Sequence, residues 1–182
     1  MDTAYDLYTS QGIVKTTIED ISKKAGIAKG TFYLYFKDKY DLQDKLIASK
    51  TERIFEHALE HSGYQDRPST EDKVLAIVDD ILGQLTKEKL TLKFIYKNLS
   101  WGVFRHAIDR SGTDYAAMLS DIVGSSIDEK DIDMVIYTIL ELVGSTCYSV
   151  ILYDDPVDME TYRPHLHKAI CAILRSYENR EL

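Results

Sequence analysis

The sequence predicts an all-α chain, with a three-helix N-terminal head followed by a larger helical body. Three observations carry that prediction. Apolar residues recur at three- and four-residue spacing through most of the 182 positions. From Ser69 onward no strand-like alternation of useful length occurs. Capping residues and helix breakers stand where one apolar stripe stops and the next begins.

In the head, Asp2–Gln11 reads as a helix whose stripe is Ala4, Leu7 and Tyr8, ended by Gly12. Thr17 caps a second helix, and Asp20, three positions on, completes a box-like pair. Ile18, Ile21 and Ala25 share one face of it. Gly26 follows where a helix needs a left-handed residue, and Ile27 is expected to turn back into the core. Lys29-Gly30-Thr31 then opens a shorter helix with Phe32 and Phe36 inward. Two helices joined by a tight glycine turn make a helix-turn-helix, whose second helix can enter a DNA major groove. On its outer face Lys29, Thr31, Tyr33, Leu34 and Tyr35 offer a cation, a hydroxyl, two phenols and an apolar group suited to a thymine methyl. Gly30 permits close approach, with free N–H groups for a phosphate. Lys39 is expected to add a second contact to the nucleic-acid backbone. The competing reading is a plain three-helix core with a solvated basic rim.

Past the head, residues 38–61 read as one long connecting helix, buried through Leu42, Leu46, Ile47, Ile54, Ala58 and Leu59. Gly63 and the run Gln65–Pro68 end it. The head is assigned to residues 1–47 and the body to 48–182. Ser69 caps a helix to about Thr86, with Val74, Ile77, Val78, Ile81, Leu82 and Leu85 as its stripe. Helical pieces follow at 90–99, 101–108 and 115–123, before the Gly124-Ser125-Ser126 break. Asp128, with Asp131 at the box position, caps a helix running to about Tyr153, stopped by Asp154-Asp155-Pro156. The last helix starts at about Met159 or Thr161 and ends at Tyr177. Pro164 is comfortable only in a first turn, which favours the start near Thr161 or a kink. No internal repeat or low-complexity segment is visible.

Composition fits a globular protein, at 45% hydrophobic and 29% charged. No apolar run is expected to reach the length of a membrane span, and no signal pattern opens the chain. Cys147 and Cys171 lie in helical patterns without the density of a secreted disulfide scaffold, so a prokaryotic cytoplasm is the expected compartment. A net charge of −8 argues at first sight against a nucleic-acid partner. Its distribution argues the other way. Residues 15–50 hold eight lysines against five acids, a surplus of three positive charges, so the other 146 residues carry −11. A basic head on an acidic body is the asymmetry of a protein with one DNA-facing end. No GxSxG, phosphate-binding glycine loop, HExxH or CxxC occurs, and adjacent acids such as Asp79-Asp80 diverge on a helix, so no enzymatic function is expected.

Residues 12–47, above all A-G-I-A-K-G-T-F-Y-L-Y-F-K-D-K, resemble the DNA-binding domain of the TetR (tetracycline repressor) family. The resemblance covers about a quarter of the chain. It implies a homodimeric, all-helical transcription regulator, usually a repressor, released from a pseudo-palindromic double-stranded DNA operator by a small molecule. It makes Thr17, Tyr35 and Lys39 similar to the family's phosphate contacts. Lys29, Gly30, Thr31, Tyr33 and Leu34 are similar to its groove-facing set. Ala28 departs from the capping serine or threonine common there, and Leu34 from the frequent histidine. The family usually has more residues before this point, often basic ones. Here the start is truncated or the arm is absent, and no arm contact is read.

The last two helices carry apolar stripes at Ile132, Ile136, Ile139, Val143 and Cys147 and at Leu166, Ile170 and Leu174. Paired across two subunits they make a four-helix bundle; the alternative is that both stripes are core. The aromatic and methionine residues Phe94, Trp101, Phe104, Tyr115, Met118, Tyr137 and Tyr148 are candidates to line an effector pocket, against the bland reading of ordinary core. No cofactor or metal is expected: His165 and His167 diverge on a helix, and His57, His61 and His106 are read as lacking ligand-spaced partners. A helical dimer that binds ligand or protein but no longer binds DNA specifically is the competing function.

Overall fold

The computed structural model describes residues 1–96, 102, 104, 115–123 and 127–178, and the described residues are helical with short joints. The head holds α1 (Asp2–Gln11), α2 (Ile18–Ala25) and α3 (Lys29–Tyr35). The connecting helix α4 (Lys39–His61) leads through a 3₁₀ turn at Tyr64–Asp66 into α5 (Thr70–Lys87) and α6 (Lys89–Tyr96). The body continues with α7 (Tyr115–Val123), α8 (Glu129–Tyr153) and α9 (Met159–Tyr177).

Most joints follow from cap chemistry. The Thr17 hydroxyl accepts from the Asp20 amide while the Asp20 carboxylate accepts from the Thr17 amide, a complete capping box. Those bonds, side chain first, hold the Asp20 carboxyl below its usual value. The cap is therefore intact at neutral pH and is lost only as pH falls through that lowered value. Gly26 takes the left-handed conformation at φ 68°, as the turn requires. Asp38 caps α4 through the Tyr40 and Asp41 amides, and Ser69 caps α5 through Asp72.

Two joints differ from expectation. The Asp128 carboxylate makes no cap bond; it pairs with Lys130 at 3.2 Å instead. Asp158 accepts from the Thr161 amide at 2.8 Å, so α9 starts at Met159, and Pro164 lies inside the helix rather than in its first turn. Ile27 also departs, standing 40% exposed where a return to the core was expected.

One apolar core runs without interruption from Ala4, Tyr8, Ile21 and Phe32 in the head to Leu166, Ile170 and Leu174 in α9. The head joins the body at two places. Tyr5 and Tyr8 pack on Phe94 of α6, and the Tyr5 hydroxyl meets Thr91 Oγ1 at 2.8 Å. α4 packs along α5 and α6. Among the described residues one helix, α8, has the length and apolarity of a membrane span, against the sequence expectation; it packs on α5, α6 and α9.

Candidate nucleic-acid interface and effector cavity

α3 is seated by one side chain. Phe32 is buried and packs against Phe36 with ring centroids 5.3 Å apart, which fixes the rotation of this short helix on α2. The opposite face is thereby turned outward. Leu34 is 79% exposed, Tyr35 68% and Tyr33 52%. Lys29 and Gly30 are exposed too, and Thr31 is half-buried. Nothing lies within 4 Å of where a Gly30 side chain would start, so that end of α3 is open to a partner. Ala28 supplies no side-chain cap, as the sequence indicates. Apolar and aromatic side chains this exposed, beside a lysine, form a surface with no role in the subunit's own core.

Two of the sequence-assigned backbone contacts need a different account. Lys39 Nζ donates to three carbonyls, those of Ile13 at 2.8 Å, Val14 at 3.1 Å and Thr16 at 3.0 Å. An ammonium has three donors, so all of them are committed to the α1–α2 turn. Lys39 is a tie within the head rather than a free phosphate contact, and spacing alone gave no sign of it. The Tyr8 hydroxyl, pushed up to about 12 chiefly by burial, donates to the Lys39 carbonyl at 2.8 Å and reinforces the tie. Lys39→Met is expected to cost about 1.5–3 kcal/mol, as for hydrogen bonds to a charged group, and to lower the melting temperature by several degrees. Lys37, exposed and with no ammonium hydrogen bond among the described residues, is the better-placed cation. Thr17 is exposed, but its hydroxyl is occupied by Asp20.

In the body two cavities share a wall. One, of about 130 Å³, is lined by Thr51, Ile54, Tyr96, Glu141 and Ser145, among others. Its neighbour, about 140 Å³, is bounded by apolar side chains including Ile77, Met118, Ile122 and Ile139. Phe55, Ile81, Phe104, Leu140 and Val143 face both. Phe55 stands edge-on to Phe104 with centroids 5.6 Å apart. The Thr51 hydroxyl is buried without a hydrogen-bond partner, an arrangement that costs free energy unless something fills it.

Of the seven residues expected in the pocket, Phe104 and Met118 line these cavities. Phe94 does not; it is committed to the head–body joint with Tyr5 and Tyr8. Tyr137 is exposed at 39%, and Tyr148 stacks on Tyr96 with centroids 3.7 Å apart. Trp101 and the side chain of Tyr115 lie outside the described residues. Thr51 and Phe55 were missed because they belong to α4, which reads from sequence as a connector.

The expected dimer residues also need correction. Ile139, Cys147, Leu166, Ile170 and Leu174 are all buried within one subunit, because α8 and α9 pack on each other. Burial pushes the Cys147 thiol up to about 11, so it is an inert core group. Ile132, Ile136 and Val143 are half-buried.

Comparison with known proteins bears directly on the α3 face. The family model for bacterial regulatory proteins of the tetR family matches residues 1–46. The head thus matches the tetR-family DNA-binding domain. The uncharacterised HTH-type transcriptional regulator YvdT of Bacillus subtilis is 40% identical over 60 residues, 33% of this chain and 29% of that protein. The chain thus matches less than a third of this relative's length. The fold extends further. The fatty acid degradation regulator FadR from Bacillus halodurans superposes with a TM-score of 0.64 at 19% identity, covering 93% of this chain and 94% of its own. FadR from Bacillus subtilis, in complex with stearoyl-CoA, gives 0.61 at 18%, with the same two coverages. The HTH-type transcriptional regulator AcrR of Shigella flexneri is 36% identical over 61 residues, 34% of this chain and 28% of that protein.

Proposed function

We propose that this chain is a transcription regulator of the repressor type, acting as a cytoplasmic homodimer that leaves its DNA operator when a small apolar or amphipathic molecule fills the body. Residues 1–47 are the DNA-reading head and 48–182 the effector-binding and dimerising body. The observation that supports this reading best is the outward face of α3, where Tyr33, Leu34 and Tyr35 stand exposed beside Lys29.

Lys29, Thr31, Tyr33 and Leu34 are assigned to base edges, Tyr35 and Lys37 to phosphates. Gly30 lets the helix come close. The paired cavities are assigned to the effector. The acyl-CoA carried by one structural neighbour makes a long-chain ligand a reasonable first probe. Dimer contact falls to the faces left uncovered. On α8 these are Met134, Tyr137 and Thr138, and on α9 His165, Lys168, Ala172 and Ser176. The exposed α8 positions lie on an otherwise apolar helix, and a partner subunit would cover them.

The test is to sequence the DNA fragments selected by the purified protein from a random pool. A pseudo-palindrome with half-sites one helical turn or a multiple apart is expected. Lys29→Ala should relax preference at one or two positions per half-site, each worth about 1–3 kcal/mol. Tyr35→Phe should weaken all sequences alike. Recovery of no enriched sequence would favour the competing reading, a helical ligand-binding dimer without DNA specificity.

A further inference from the structure

The last two turns of α4 carry His57 and His61, four residues apart and therefore on one face. Against the sequence expectation that these histidines lack partners, the structure brings them together. Their rings stack with centroids 4.2 Å apart and planes 20° apart. Each ring has its Nδ1 engaged by an oxygen. His57 Nδ1 lies 3.0 Å from Asp80 Oδ1 on α5, and His61 Nδ1 lies 3.0 Å from the His57 carbonyl. Asp80 is itself held, since Gln84 Nε2 donates to the same oxygen at 2.7 Å and to the Ile54 carbonyl at 3.0 Å. Neither Nε2 has a hydrogen-bond partner among the described residues. The two side chains are 47% and 56% exposed.

We infer that His57 and His61 form a two-point site for a divalent transition-metal ion of the zinc, copper and nickel class, through their Nε2 atoms. Three features support it. A histidine pair at i, i+4 on a helix is the spacing that puts two imidazoles on one ion. Each Nδ1–H bonded to a carboxylate or carbonyl fixes the tautomer in which Nε2 carries the lone pair, as is usual around metal-bound histidine. Imidazole nitrogen prefers these borderline ions to magnesium or calcium, which take oxygen. No group of three or more metal-ligating side chains occurs among the described residues, so water completes the shell. The Glu60 carboxylate, 4.0 Å from His61 Nδ1, adds negative charge beside the site. Asp80 positions His57 and ties the bound turn of α4 to α5. The site is independent of the α3 face and of the cavities.

The experiment titrates the chelator-stripped full chain with zinc chloride by calorimetry, and follows imidazole proton signals while copper(II) is added at trace levels. One ion per chain is expected, with the His57 and His61 signals broadened first. His57→Gln and His61→Gln, both at exposed positions and checked for native helicity, should each weaken zinc binding at least tenfold. Asp80→Asn should weaken it 10–100-fold, the usual outer-shell effect. A His165→Gln/His167→Gln double variant should bind as the parent does. Wild-type zinc affinity in both His57→Gln and His61→Gln would overturn the site, as would equal competition by magnesium. Unchanged affinity in Asp80→Asn would overturn the positioning role.

Discussion

Ile170→Asp is expected to unfold the subunit, whereas Ala172→Glu should leave it folded and split the dimer. The two positions lie two residues apart on α9 but on opposite sides. Ile170 is fully buried against α5 and α8, and Ala172 is exposed. A carboxylate forced into an apolar site without a partner costs several kcal/mol, a large share of the 5–15 kcal/mol that holds a typical domain. A glutamate at Ala172 costs the isolated subunit little. In the proposed dimer, however, each carboxylate would be buried in the interface on the outer face of α9, at a cost to association. The measurement is far-ultraviolet dichroism on melting, paired with light scattering. A folded, fully dimeric Ala172→Glu protein would move the interface off the outer face of α9. A folded Ile170→Asp protein would contradict the packing of α9 itself.

That contrast shows where the sequence was legible. Helix ends were readable because their causes are local: Thr17 with Asp20, Gly26 at φ 68°, Ser69 with Asp72. The recognition face was readable for the same reason, since Phe32 and Phe36 one turn apart leave few ways to turn a seven-residue helix. The sides of α8 and α9 were not. An apolar stripe says that a face is covered, but not whether the cover is the same chain or a copy of it. The Lys39 tie was not legible, because its three carbonyl partners lie 23 to 26 residues away, in a turn whose path no local pattern encodes. His57 and His61 were passed over for a related reason. Their spacing was visible, but the carboxylate that orients one of them arrives from α5.

The largest effect on regulation is expected at Phe55. Induction requires an effector that binds the released arrangement of the heads more tightly than the DNA-bound one. A hundredfold loss of operator affinity corresponds to a coupling of about 2.7 kcal/mol, within the usual allosteric range. The geometry offers a lever of that size. Phe55 projects from the body end of α4 onto Phe104, in the wall common to both cavities. A molecule occupying both must part these rings and push α4. The head end of α4 cannot absorb the push locally. Lys39 is tied to the α1–α2 turn, and α1 is held on α6 through Tyr5, Tyr8 and Phe94. In the proposed switch the head follows α4 as a unit, pivoting on the α1–α6 joint, and the two α3 helices leave register with successive grooves. Phe55→Ala opens that space in advance. It should keep ligand-free operator affinity within a fewfold of the parent while reducing the hundredfold release to tenfold or less. Phe55→Leu, which preserves more of the packing, should fall between. Operator titrations with and without inducer, alongside direct ligand binding, separate lost coupling from lost ligand affinity. Equal induction in parent and Phe55→Ala would place the lever on the α1–α6 joint instead.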